Sequence, residues 1–488
     1  MADKQKYMSW LDEHADIFSD ISDKIWEYAE LSLMEYRSCE LYVTKLKEMG
    51  FEVESPLAGV QTGFKATYGS GRPVIGILAE YDALTGLSQV AGATHREELV
   101  KNGRGHGCGH NMLGAGAMAA ACAVKEYLQD MGPGHGTVIF FGCPGEEGGA
   151  AKSFYARDHV FDGVDIALTW HPGDTNGVQS GSSNSCIQTE YRFTGIASHA
   201  AGSPDKGRSA LDAVELMNIG VQFLREHMPE KDRIHYAITD AGGNSPNVVQ
   251  PHARVLYMVR SELAKNVLAL QARVDKIAEA AAMMTETKVE KRFIDGLNNT
   301  VPNLTLEKLM YKNFAEIGVP HYTDEELAYA QAIVDGYELP GDKLPGKANL
   351  YEEPALQKEI AKLSDNGKKP LNDFLMPFNH TGKVSPGSTD VGDVSWLVPT
   401  VQASAVGFVS GAPGHSWQNV SCGHTSIGHK GVLTAGKVIA ATAIDLFEQP
   451  ETVKAAKEEF ESVVVPAGGY CCLVPPDAVP TKLDDPWD

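Results

Sequence analysis

The chain is 488 residues long, with 42 Lys+Arg against 64 Asp+Glu and a formal net charge of −22. That length is too great for one ordinary core and fits two or three domains. The surplus of carboxylates excludes a binder of nucleic-acid backbone, which needs clustered cations, and no run of about 18 apolar residues offers a membrane span.

The stretch Met1-Ala2-Asp3-Lys4-Gln5-Lys6 leads into a charged amphipathic segment without an apolar signal-peptide core, so a cytoplasmic protein is expected. Ile17, Ile21, Ile25 and Ala29 recur every four residues and predict a first amphipathic helix. Val74 to Ala79 is a continuous apolar run that predicts a buried strand, with the polar Glu80-Tyr81-Asp82 at its C-terminal edge. An Ala-rich helix is predicted over Met112 to Leu128, and strands over Thr137 to Phe141 and Asp165 to Trp170. Strands alternating with helices imply an α/β sheet. After Ser180-Gly181-Ser182-Ser183-Asn184 the pattern restarts as a smaller α+β unit. It has helices over Arg208 to Arg225 and Lys265 to Met284, and strands over Ile234 to Thr239 and Arg254 to Arg260. From about residue 299 the chain is expected to return to the first domain, with a loop over Gly336 to Asn349 marked by two Pro-Gly pairs.

The eight cysteines (Cys39, Cys108, Cys122, Cys143, Cys186, Cys422, Cys471 and Cys472) are too sparse and irregular for a secreted disulfide framework and are expected to be reduced. One of them carries chemistry. Gly105-His106-Gly107-Cys108-Gly109-His110 is followed by Gly145-Glu146-Glu147-Gly148-Gly149 and by Thr169-Trp170-His171-Pro172. Thiolate, imidazole and carboxylate are ligands for Zn²⁺ or a similar ion, and two adjacent carboxylates let one bind metal while the other handles protons. Each candidate lies just beyond a predicted strand or at a helix start, where open α/β sheets place ligands. A Cys beside a His also forms a nucleophile pair, so a Cys108-dependent hydrolase is the alternative these residue types leave open.

Six ordered blocks extend the pattern: Gly105 to Leu113 (GHGCGHNML), Phe141 to Gly149 (FGCPGEEGG), Asp165 to Pro172 (DIALTWHP), Ser245 to Gln250 (SPNVVQ), Thr389 to Trp396 (TDVGDVSW) and His415 to Gln418 (HSWQ). Together they resemble the metallo-aminoacylase and carboxypeptidase superfamily, in the amidohydrolase branch of the hippurate and indole-acetyl-amino-acid hydrolases. Within it they resemble the p-aminobenzoyl-glutamate hydrolase group. Most of the wider branch has Asp after Cys-Gly-His, where this chain has Asn111.

The resemblance implies an α/β catalytic domain with a central mixed sheet flanked by helices, zinc-peptidase-like, over 1–184 and 299–488, with an insertion at about 321–380. An α+β dimerisation or lid domain would occupy 185–298. It implies two divalent ions per chain, Zn²⁺ or Mn²⁺ with Co²⁺ as an alternative, held by Cys108, His110, Glu147, His171 and His415. His424 and His429 lie near His415 but outside the matching block. Glu146 would be the general base, and His199, from a partner subunit, would polarise the scissile carbonyl. Asn247 and Arg260 would contact substrate, and Asp82 would support the ligands from behind. His106 stays outside the ligand set, and the roles of Asp390 and Asp393 are open between substrate contact and helix capping. The implied activity is hydrolysis of an N-acyl amino acid such as p-aminobenzoyl-glutamate. The alternatives are another N-acyl amino acid or dipeptide as substrate, or a non-catalytic subunit of a heteromeric hydrolase. A homodimer is expected, or a heteromer with a related subunit, and neither nucleic acid nor membrane as partner.

Overall fold

The computed structural model describes residues 4–337, 344–345 and 353–482. They form two compact units, one of Met1–Ser182, Val301–Lys383 and Val394–Gly469, the other of Ser183–Thr300, Val384–Asp393 and Tyr470–Asp488.

The first unit is built on a seven-stranded mixed sheet. Its strand order is Glu52–Glu54, Phe64–Ser70, Gly136–Gly142, Val74–Ala79, Ile166–Gly173, Thr400–Val406 and Gly177–Val178. The four strands 136–142, 74–79, 166–173 and 400–406 are mutually parallel, in registers such as Ile75 with Val138 and Ala403 with Trp170. The outer strands pair antiparallel. Parallel strands are covered by helices on both faces, which is why Val74–Ala79 shows no polar alternation and is buried from Ile75 onward.

The Ala-rich segment forms the helix His110–Met131, two residues longer at its start than the apolar pattern predicts. Gly109 at φ +83° turns the chain directly into the first helical residue, so His110 belongs to the helix and not to the glycine loop. This helix is buried along most of its length and packs on Ser426–Glu448. Small residues allow the approach: a Cβ on Gly436 would lie 2.9 Å from that of Ala119, and one on Gly116 would lie 2.8 Å from the Trp170 indole. The helix predicted from Ile17 to Ala29 forms over Ala15–Tyr28, burying Phe18, Ile21, Ile25 and Trp26 and ending before a left-handed Ala29. It is the second helix and not the first, since Lys4–Glu13 precedes it and buries Tyr7, Met8 and Leu11. The 321–380 region contributes the helices Asp324–Asp335, started by a Thr323–Glu326 capping box, and Pro354–Leu363. The loop expected over Gly336 to Asn349 falls largely outside the described residues.

The second unit has a four-stranded antiparallel sheet in the order Lys288–Leu297, Ser185–Thr194, His252–Ser261, Arg233–Asp240. Helices Ala210–Arg225 and Ala264–Thr285 pack against it and share a core with Phe193, Val255, Tyr257 and Val259. Residues along His252–Ser261 alternate between buried and less buried, as a strand covered on one face requires. No helix among the described residues is long and apolar enough to cross a membrane.

Candidate metal centre

Four parallel strands end at one edge of the first sheet, and the polar segments that follow them supply the site. Strand 74–79 runs into Glu80 and Asp82, strand 136–142 into the Glu146–Glu147 loop, and strand 400–406 into the segment that carries His415. His171 sits near the C-terminal end of 166–173, and Cys108 and His110 flank Gly109 at the start of the central helix.

Two triads of ligand atoms emerge, in each of which all atoms lie within 4.8 Å of one another: Cys108 with His110 and His171, and Cys108 with Glu147 and His415. Cys108 is common to both, so one thiolate would serve either ligand set. Its Sγ is 3.3 Å from His171 Nε2, and His415 Nε2 is 3.4 Å from Glu147 Oε1. A third triad, Glu80 with His110 and Glu146, meets the same criterion.

The supporting bonds decide which imidazole nitrogens face inward. His110 Nδ1 is 2.8 Å from Asp82 Oδ1, and His171 Nδ1 is 2.7 Å from the Pro172 carbonyl oxygen. With each Nδ1–H donated to oxygen, the Nε2 lone pairs are the ones left for a ligand. Asp82 Oδ2 accepts from Ser32 Oγ at 2.7 Å and from the Glu147 backbone N–H at 2.9 Å, so one carboxylate ties the His110 ring to the Glu147 loop. The Gly145 N–H at the entry to that loop is held at 2.9 Å by the fully buried Glu35. His415 adopts φ +53°, a left-handed conformation unusual outside glycine and of the kind retained at functional sites.

The site also carries polar demand that no hydrogen bond meets: His110 Nε2 and Glu147 Oε1 are buried and make none, and face ion-pair neighbours only at 3.3 Å (Glu80 Oε2) and 3.4 Å (His415 Nε2). Orphaned atoms of these types cost free energy unless a cation satisfies them, so the residues present fit a metal. Burial and the Glu147 charge push the Cys108 thiol up, which leaves it protonated and a poor nucleophile without a metal. Burial also pushes Asp82 up, but the His110 charge and the bonds converging on it prevail and hold it at about 2. Glu147 is raised, chiefly by burial.

The five proposed ligands and Glu146 are thus brought together in the first unit. His199, Asn247 and Arg260 belong to the second. His199 is exposed, and its Nδ1 accepts the backbone N–H groups of Ala201 and Gly202 at 3.2 and 3.0 Å, so the ring proton sits on Nε2. Asn247 is exposed on the neighbouring loop, its carbonyl accepting from Ala200 N at 2.9 Å. Arg260 Nη1 donates to Ser388 Oγ at 2.9 Å. His106 is buried, with Nε2 3.0 Å from the Ile25 carbonyl oxygen, and acts as a strut behind the cysteine loop. Asp393 accepts from Asn298 and from the Tyr470 hydroxyl, a structural tie within the second unit. His424 and His429 pair with Asp23, at 3.7 and 2.8 Å. Sequence reasoning passed over Lys152, wholly buried with Nζ 2.7 Å from Glu80 Oε1. A lysine in an Ala-rich segment carries no signal of burial.

Residues 76–419 match the model of Peptidase family M20/M25/M40. The chain is 44% identical over 482 residues to one named subunit of the p-aminobenzoyl-glutamate hydrolase of Escherichia coli, covering 99% of this chain and 97% of that protein. Among solved structures, the aminobenzoyl-glutamate utilization protein of Klebsiella pneumoniae aligns with TM-score 0.57 at 15% identity, over 91% of this chain and 98% of that one. A Bacillus subtilis protein described as a dinuclear metal binding peptidase from the M20 family aligns with TM-score 0.53 at 18% identity, over 90% and 99%. At those identities the structures speak to the shared α/β fold, while the family match and the near full-length sequence identity carry the assignment: the chain belongs to peptidase family M20/M25/M40.

Proposed function

We propose that this chain is a metal-dependent amidohydrolase that cleaves the amide bond of an N-acyl amino acid, with p-aminobenzoyl-glutamate as its leading substrate. The observation that carries this reading is the sharing of Cys108 between two ligand triads, with a second carboxylate, Glu146, next to the Glu147 of one of them. Cys108, His110, Glu147, His171 and His415 would hold two divalent cations, Zn²⁺, Mn²⁺ or Co²⁺. Such cations lower the pKa of water and polarise a carbonyl oxygen. The family membership and the substrate named for the Escherichia coli relative support both the reaction and the substrate class.

Glu146 takes a proton from the attacking water and delivers it to the departing amine nitrogen, so that water and amide become carboxylate and amine. His199, whose ring N–H is on Nε2, keeps that hydrogen and donates a hydrogen bond through it to the developing oxyanion from the partner subunit of a dimer. In this scheme the first unit is catalytic and the second is the lid and dimerisation unit. Arg260 pairs with the substrate carboxylate, and Asn247 holds the carbonyl region. That the Escherichia coli relative is named as one subunit of its hydrolase favours, as a second assembly, a heteromer with a related chain. The eight free cysteines fit a reducing, cytoplasmic setting.

The test is release of amino acid from a panel of N-acyl amino acids by protein loaded separately with each metal. Glu146→Gln should lower kcat by about 10²- to 10⁴-fold at unchanged metal content. Turnover by the variant close to wild type would refute the assignment of the base.

A further inference from the structure

The proposed metal site contains a competition. His110 has one ring nitrogen to give, because Nδ1 is committed to Asp82. Two triads need that same Nε2: the thiolate set with Cys108 and His171, and the carboxylate set with Glu80 and Glu146. Glu80 Oε2 lies 3.3 Å from it. The second set holds two carboxylates and one imidazole, a harder and more negative environment that suits Mn²⁺ or Mg²⁺. A cation settled there would also take Glu146 as a ligand, leaving no base for water.

The protein has already placed a positive charge beside one member of this triad, Glu80. Lys152 lies on the helix Ala151–Arg157, directly after the Glu146–Glu147 loop, and its ammonium is 2.7 Å from Glu80 Oε1, with both side chains buried. We infer that Lys152 is a positioning residue whose ammonium neutralises the Glu80 carboxylate of the Glu80–His110–Glu146 triad from its Oε1 side, so that a metal cation is not drawn onto that set, His110 Nε2 is left to Cys108 and His171, and Glu146 stays available as the base. The ion pair neutralises Glu80, so a second cation gains little from joining it. This inference rests on the metal-site reading proposed above and adds to it the group that decides between donor sets.

Removing the charge should reverse the choice. Full-length wild type, Lys152→Met and the paired Glu80→Gln/Lys152→Met variant are each loaded with Co²⁺, and bound metal per chain is measured together with thiolate-to-cobalt charge-transfer absorption. Wild type should bind two ions and show the thiolate band. In Lys152→Met the band per bound ion should fall by about half or more as Co²⁺ moves onto carboxylates, and hydrolysis should be lost with it. The paired variant removes the competing carboxylate as well as the lysine, and should recover the wild-type band. A merely structural lysine would not move the ligand signature and would not be corrected by Glu80→Gln. Should the methionine variant fail to fold, Lys152→Gln keeps a hydrogen bond to Glu80 without the charge and carries the same expectation. A folded variant with the wild-type band, or a paired variant without recovery, overturns the inference. A wild type that binds no Co²⁺ through thiolate overturns the metal-site reading itself, and this inference with it.

Discussion

Asp82→Asn is nearly isosteric, yet the geometry gives the amide no orientation that suits all its neighbours. With its oxygen toward His110 Nδ1, the amide NH₂ faces Ser32 Oγ, which can turn and accept, and the Glu147 N–H, which cannot. That leaves a buried donor facing a donor on the loop that carries Glu146 and Glu147, at a cost of about 1–3 kcal/mol. With the amide flipped, NH₂ faces His110 Nδ1 and forces the ring proton onto Nε2, the atom needed for metal. Either outcome weakens binding, and loss of a carboxylate behind a ligating His costs about 10–100-fold in metal affinity, which is about 1.4–2.7 kcal/mol. Competition between the protein and a chromophoric chelator for Zn²⁺ measures this directly, with circular dichroism confirming the fold. A change below about threefold would mean that the Asp82 contact does not orient the ligand, and the assignment of Nε2 would fail.

The same site makes three other predictions. Because burial raises the Cys108 thiol and binding requires the thiolate, metal uptake should release protons, and affinity should rise with pH across the range below the raised value; calorimetry in buffers of different ionisation enthalpy should show fewer protons released by Cys108→Ser than by wild type, and equal release would mean that the thiol is not a ligand. Gly109→Ala should lower Tm and metal content together, since φ is +83° and the new Cβ would lie 2.6 Å from Phe408 Cζ and 2.8 Å from Pro172 Cγ; an unstrained backbone there would leave both unchanged. If His199 acts across subunits, mixing inactive Glu146→Gln and His199→Ala proteins after dissociation should restore activity to about a quarter of wild type, because half the dimers would hold one intact site of two. No recovery from subunits shown to exchange would place His199 in its own chain's site.

Much of this protein is legible in its sequence because the information is local. Period-four apolar spacing marks Ala15–Tyr28, and the unbroken run at Val74–Ala79 marks a strand buried on both faces. Glycines around Cys108, His110, Glu146 and Glu147 mark loops free to approach a site, and residue chemistry alone nominates a metal there. Position 110 shows the limit: the apolar pattern begins at Met112, and the left-handed Gly109 starts the helix at His110.

What only the tertiary structure decided are relations between segments distant along the chain. Parallel pairing of 136–142, 74–79, 166–173 and 400–406 carries Asp82, Glu147, His171 and His415 to one edge, and no local pattern encodes that order. Burial, likewise, is a property of the packed whole. It sets His106 Nε2 against the Ile25 carbonyl oxygen, leaves His110 Nε2 and Glu147 Oε1 without a hydrogen bond, and seals Lys152 against Glu80. A side chain's type states which bonds it can make, but the low dielectric and fixed neighbours of the folded interior decide which it must make.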